Sequence, residues 1–196
     1  INDKNKNGRY PLLWAVTKNN IDMVQLLIEY ADKNNTILII DETNNHGDYP
    51  MNKATFRSNI GMVELLIEYN IVLDIDEVNN NGYYPLNRAA FNNNTEMVEL
   101  LIDYGNKNNM IIDINKKDGN GDYPLFLAFK NKNIKMIQGL MRYAKENNIT
   151  LNITEDDNGN TFLLHACKKE NEDLVVYLIE KGANVNKKNN DGDTPL

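Results

Sequence analysis

One cysteine, two histidines and one tryptophan in 196 residues leave little material for catalysis or metal binding. A lone Cys167 excludes an internal disulfide framework and suits a reducing compartment. With His46 and His165 as the only imidazoles, the paired nitrogen and sulfur ligands of a zinc site are missing. His165 and Cys167 stand two apart, so on a helix they point in different directions and cannot act as base and nucleophile. No phosphate-cradling glycine loop or nucleophile elbow occurs. Asp118-Gly119-Asn120-Gly121-Asp122 opens like a calcium loop, but Tyr123 takes the sixth place, which needs glycine, and Phe129 the twelfth, which needs glutamate. No cofactor, no metal and no enzymatic activity are therefore expected. No apolar run reaches the roughly 20 residues of a membrane span, and no secretory leader is visible. The expected location is intracellular, with the cytoplasm favoured.

Proline is also scarce, and its placement is the main signal. All five prolines (Pro11, Pro50, Pro85, Pro124 and Pro195) follow a glycine by three residues: Gly8, Gly47, Gly82, Gly121 and Gly192. A sixth copy, Gly159-Asn160-Thr161-Phe162, has Phe162 in the proline slot. Self-similarity at such a period marks a solenoid, in which each unit buries its apolar face only against its neighbours. The units run about 8–46, 47–81, 82–120, 121–158 and 159–191 of one array covering 1–196, with 1–7 and 192–196 as partial units. Opening at Ile1 and stopping at Leu196 in mid-motif, the chain reads as cut from a longer protein.

Counting from the proline gives the elements. Four residues on stands a fixed alanine (Ala15, Ala54, Ala89, Ala128, and Ala166 after Phe162), a small residue where two helices approach closely. Twelve on stand Met23, Met62, Met97, Met136 and Leu174; sixteen on stand Leu27, Leu66, Leu101, Leu140 and Leu178. This is helical spacing with one buried face. Proline opens the first helix, where its missing donor costs nothing. Asn20, Asn59, Asn94, Asn133 and Asn171 are placed to cap the second. Apolar pairs two apart follow (Leu38 and Ile40, Leu73 and Ile75, Ile112 and Ile114, Leu151 and Ile153, Ala183 and Val185), which predicts extended backbone leading into a polar, hairpin-like finger. Asparagine, at 36 residues, fills most of the turns. Gly139 replaces the leucine of Leu26, Leu65 and Leu100, which predicts local softness over 135–143.

Gly192-Asp193-Thr194-Pro195-Leu196, Tyr84-Pro85-Leu86-Asn87-Arg88-Ala89-Ala90 and Leu178-Ile179-Glu180-Lys181-Gly182-Ala183-Asn184-Val185-Asn186 resemble the ankyrin repeat. The resemblance covers essentially the whole chain and implies an all-α solenoid of stacked helix-turn-helix units with hairpin-like fingers. Two departures stand out. The family's threonine before proline is Tyr10, Tyr49, Tyr84 and Tyr123, and its first-helix histidine is Leu13, Asn52, Asn87, Phe126 and Leu164. The usual threonine–histidine bond is therefore absent, and the tyrosine rings are expected to pack on the next unit instead. Six more residues lie between Tyr30 and Ile40, Tyr104 and Ile114, and Tyr143 and Ile153 than between Lys181 and Val185. These predict lengthened outer helices, with longer loops as the alternative.

The resemblance implies partner binding in the concave face made by fingers and first helices. On that face the outward positions three, six and seven after proline, with the finger tips, give Trp14, His46, Lys53, Phe56, Arg57, Tyr83, Arg88, Phe91, Leu127 and Lys130 as candidate partner-binding residues. Aromatic and arginine side chains are the usual anchors of interfaces. From each proline, or Phe162, through eight residues on, eight cations face Glu170 alone, a net of +7; the second helices sum to −7. Basic inner helices predict a protein partner presenting an acidic segment. Nucleic acid is disfavoured by the overall charge of −7, and a monomer is expected. The expected function is a protein–protein interaction module. The alternatives are a structural spacer within a larger protein, or the targeting array of an enzyme whose catalytic domain lies outside this segment.

Overall fold

Each proline opens a seven-residue helix. In the computed structural model, which describes residues 1–69, 75–151, 155, 158–180 and 182–195, the inner helices are α1 (Pro11–Thr17), α3 (Pro50–Phe56), α5 (Pro85–Phe91), α7 (Pro124–Lys130) and α9 (Phe162–Lys168). The outer helices are α2 (Ile21–Lys33), α4 (Ile60–Tyr69), α6 (Thr95–Lys107), α8 (Ile134–Glu146) and α10 (Glu172–Glu180). Every inner helix packs on its own outer helix and on the next inner helix. The result is an all-helical stack with no strand among the described residues. Leu73, Ile153 and Lys181 lie outside those residues.

The five asparagines ahead of the outer helices do the capping expected of them. Asn20, Asn59, Asn94 and Asn133 accept from the amide of the methionine three residues on at 2.9–3.0 Å, and Asn171 accepts from Leu174 at 3.3 Å. The alanines at the close approach are all buried. Most of each insertion is helix: α2, α6 and α8 run 13 residues against nine in α10, and the rest forms the turn that ends them. Four residues add one turn, about 6 Å. Each lengthened helix ends on an asparagine whose amide nitrogen donates to the tyrosine carbonyl four back: Asn34 to Tyr30, Asn108 to Tyr104 and Asn147 to Tyr143. Asn35, Asn109 and Asn148 follow in the left-handed conformation, which asparagine tolerates better than most residues. Asparagine abundance is thus a set of repeated structural jobs.

The tyrosines before the prolines replace the missing family bond. Tyr10, Tyr49 and Tyr84 are buried, and their hydroxyls donate to main-chain carbonyls of the next finger: Glu42 at 2.8 Å, Glu77 at 3.2 Å and Lys116 at 2.6 Å. None caps its own helix through its side chain. Where threonine returns, Thr161 does cap, its Oγ1 accepting from the Leu164 amide at 3.1 Å. The histidine position is also reused. Asn52 donates to the Tyr83 carbonyl at 3.4 Å and Asn87 to the Asp122 carbonyl at 3.0 Å, each reaching into the following unit.

Among the described residues, five fingers are single tight turns built on one side chain each. Oδ1 of Asn5, Asn44, Asn79, Asp118 and Asn189 accepts from the amides two and four residues on. Neighbouring fingers join through Asn45 N–H to the Asn7 carbonyl and Asn80 N–H to the His46 carbonyl, at 3.2 and 3.1 Å. Gly139, in α8, has nothing within 4 Å of where a Cβ would lie. Gly139→Ala is therefore expected to stabilise the fold by about 0.5–1 kcal/mol. Thermal unfolding checks this: a rise of roughly 2 °C is expected, and an unchanged or lower midpoint contradicts it.

Candidate functional site

Between the first three fingers and α3 and α5 runs a groove of about 340 Å³. His46, Lys53, Phe56, Tyr83 and Arg88, chosen from sequence, all line it, together with Arg9, Asp48, Asn52, Asn79 and Asn81. One register pair recurs in three successive units, and in the second and third both of its members line the groove. The residue after the finger glycine meets the third residue after proline, because the turn into the inner helix folds the first back over the second. In the first unit Arg9 lies over the Trp14 ring at 5.0 Å. In the second Asp48 pairs with Lys53 at 2.6 Å. In the third the Arg88 guanidinium stacks 3.8 Å from the Tyr83 ring centroid.

The middle pair is neutralised. Burial pushes the Asp48 carboxyl upward, but hydrogen bonds from Lys53, Asn79 and Asn44 outweigh it and hold the group below its usual range. Lys53 is thus tied to an anion. Arg88 is not: its guanidinium sits among Tyr83, Phe56 at 4.9 Å and Phe91 at 5.5 Å, with no hydrogen-bond acceptor or carboxylate among the described residues. Rings hold the cation by their quadrupoles without consuming its donors. Arg57 lies over Phe56 at 6.0 Å and reaches the Thr17 carbonyl at 3.4 Å. Phe56 and Phe91 are half exposed, at 50% and 52%, and so stand at the surface instead of packing as core.

The structure separates the remaining candidates from this groove. Trp14 is exposed but borders a different hollow, with Pro11, Lys18 and Met23. Lys130 pairs with Asp122 at 2.9 Å and covers the Phe126 ring. Leu127 is a correction: predicted to face outward, it is buried at 4%, within a run from Pro124 to Phe129 that α7 buries entirely. A leucine gains about 1.5–3 kcal/mol from burial, whereas Lys or Arg at the same position must keep a charged end in water. Cys167 is half-buried, and partial burial pushes its thiol upward. The +7 of the inner helices is also reduced, since Lys53, Lys130 and Lys168 pair with Asp48, Asp122 and Asp193. The lining residues that sequence reasoning passed over are Asn52, treated there only as a lost histidine, and Asn79.

Among the described residues no group of three or more His, Cys, Asp or Glu could hold a metal, and no helix is long and apolar enough to cross a membrane. The family model described as ankyrin repeats (3 copies) matches residues 1–72, 36–118, 72–153 and 108–189, nearly the whole chain. The chain belongs to the ankyrin repeat family. No curated protein matches it. Solved ankyrin repeat structures share its fold at low identity. The ankyrin repeat protein EF0377 is 23% identical, covers 94% of this chain and 87% of its own, and superposes with a TM-score of 0.72. The ankyrin repeat domain of Bcl-3, a member of the IkappaB family, is 22% identical over 97% of this chain and 93% of its own, with a TM-score of 0.65. A chain in the complex of the Bdellovibrio bacteriovorus predatory endopeptidase Bd0816 with immunity protein Bd3460 is 22% identical over 98% and 90%, with a TM-score of 0.73.

Proposed function

We propose that this ankyrin repeat chain is a protein–protein interaction module that takes an acidic segment of its partner in the groove of its first three fingers. The observation that carries this is Arg88: a full guanidinium, fixed among three aromatic rings, with its donors unspent among the described residues. A carboxylate is the group whose geometry matches that fork. Arg9, Arg57, Phe56, Tyr83 and Phe91 extend the same surface, and His46 and Lys53 flank it, while Trp14 and Lys130 belong to its margins. The family is one of protein-interaction modules, and one of the structural relatives comes from a two-protein complex. In this reading the chain is one continuous array acting as a monomer, without catalysis or cofactor of its own and without nucleic acid as a partner. The single cysteine suits a reducing, cytoplasmic setting.

Titration of the chain with a capped heptaglutamate peptide at rising salt tests it. Affinity is expected to fall with ionic strength. Arg88→Gln is expected to weaken binding about tenfold, the scale of a lost charged hydrogen bond. An affinity flat in salt and indifferent to Arg88→Gln would sink the acidic-segment reading.

A further inference from the structure

The floor of the groove holds an acceptor without a donor. Asn52 is 6% exposed and lines the groove, yet its Oδ1 is buried with no hydrogen-bond partner. The amide is not turned the wrong way round, because its nitrogen donates to the Tyr83 carbonyl and a reversed amide would set two oxygens against each other. A buried acceptor left unmade is costly, because it has lost its water and gained no donor. Asn52 is also loosely held: its one bond is 3.4 Å long and the last torsion of asparagine is broad, so the amide can rotate, giving up that bond, to present Oδ1 to a ligand in the groove. Asn87, one unit on, has the same unpartnered Oδ1 but a firm 3.0 Å bond to the Asp122 carbonyl and no place in the groove lining.

With the Asn52 amide rotated, the groove offers an acceptor on its floor, beside a cation on its wall whose donors are unspent among the described residues. An acidic side chain alone satisfies Arg88 and leaves Asn52 unsatisfied. A peptide in extended form carries both complements at once, a carboxylate side chain and the main-chain N–H beside it. Building on the acidic-partner reading, we infer that the partner segment binds as an extended acidic peptide, its carboxylate on Arg88 and a main-chain N–H on Asn52 Oδ1. Asn52 then recognises backbone, while Arg88 recognises charge.

Two probes separate these contributions: capped heptaglutamate, and the same peptide with every main-chain nitrogen methylated, which keeps the charge and removes the donors. The wild-type chain is expected to bind the unmethylated peptide about fivefold more tightly, the scale of one hydrogen bond. Asn52→Leu should erase that preference. Leucine already fills the same slot at Leu13 and Leu164, both buried, so the variant is expected to fold, and thermal unfolding checks it. Asn87→Leu should keep the preference, although it removes an equivalent buried amide. Equal binding of both peptides by the wild-type chain overturns the inference. So does a preference that survives Asn52→Leu, which would trace to the bulk of the methyl groups. In either case salt-dependent binding weakened by Arg88→Gln leaves the acidic-partner reading standing. Binding of neither peptide overturns both.

Discussion

Tyr84→Ala is expected to destabilise the chain by about 3–5 kcal/mol, the range for emptying a large buried aromatic site. The ring is fully buried, so truncation opens a cavity between α5 and the next finger. The hydroxyl adds a second effect, because it donates to the Lys116 carbonyl at 2.6 Å and so ties the start of α5 to the finger that leads into the fourth unit. A solenoid is held by such nearest-neighbour contacts, so the loss weakens the coupling of the third and fourth units as well as the third unit itself. Tyr84→Phe keeps the ring and removes only the tie, and is expected to cost about 1 kcal/mol. Urea unfolding of the three chains measures both; a Tyr84→Ala chain within 1 kcal/mol of wild type would contradict this account. The same residue sets an alkaline limit. Burial, reinforced by the carboxylates of Asp76, Asp113 and Asp118, pushes the phenol well above its ordinary 10.0. A raised folded value means that the contribution is complete below pH 10.0 and drains away as pH climbs beyond it. Tyr84→Phe should flatten that alkaline decline.

Much of this architecture is legible because the repeat fixes a frame. Once the proline slot is found, helix starts, asparagine caps and the buried alanines follow by counting, since each rests on local backbone chemistry. The lengthened outer helices were readable as inserted residues followed by asparagine, and the asparagines end them as left-handed caps. What counting misses is what one unit does to the next. Leu127 and Arg88 share a register position, yet one is buried and the other faces the groove, because the side chain itself decides whether the slot is covered or solvated. Charge summed along inner helices overstates the basic face, since Asp48, Asp122 and Asp193 come from finger turns and pair with lysines there. Asn52 was invisible as a site residue because its unmet acceptor is a property of its surroundings. The one sign in the sequence was that it replaces a family histidine where Leu13 and Leu164 show an apolar residue would serve.

Gly47→Ala is expected to cost about 2–4 kcal/mol, from two separable sources. Gly47 has φ +71°, a left-handed conformation that penalises other residues by roughly 1–2 kcal/mol. An added Cβ would also lie 2.8 Å from the Asn80 nitrogen and 3.0 Å from the Asn79 Cα, both main-chain atoms of the next finger. Neither can swing aside, so the fingers must part, at about 1–2 kcal/mol more. Gly121 provides the comparison: its φ is +82°, but nothing lies within 4 Å of its Cβ position. Gly121→Ala should show the conformational cost alone, and the difference between the two variants in urea unfolding isolates the finger–finger contact. Equal losses would mean that the close approach contributes nothing. Because the Asn80 amide binds the His46 carbonyl across that contact, and His46, Asp48 and Asn79 all line the groove, the separation reaches function. Gly47→Ala should therefore weaken heptaglutamate binding even where the chain stays folded, while Gly121→Ala leaves it unchanged.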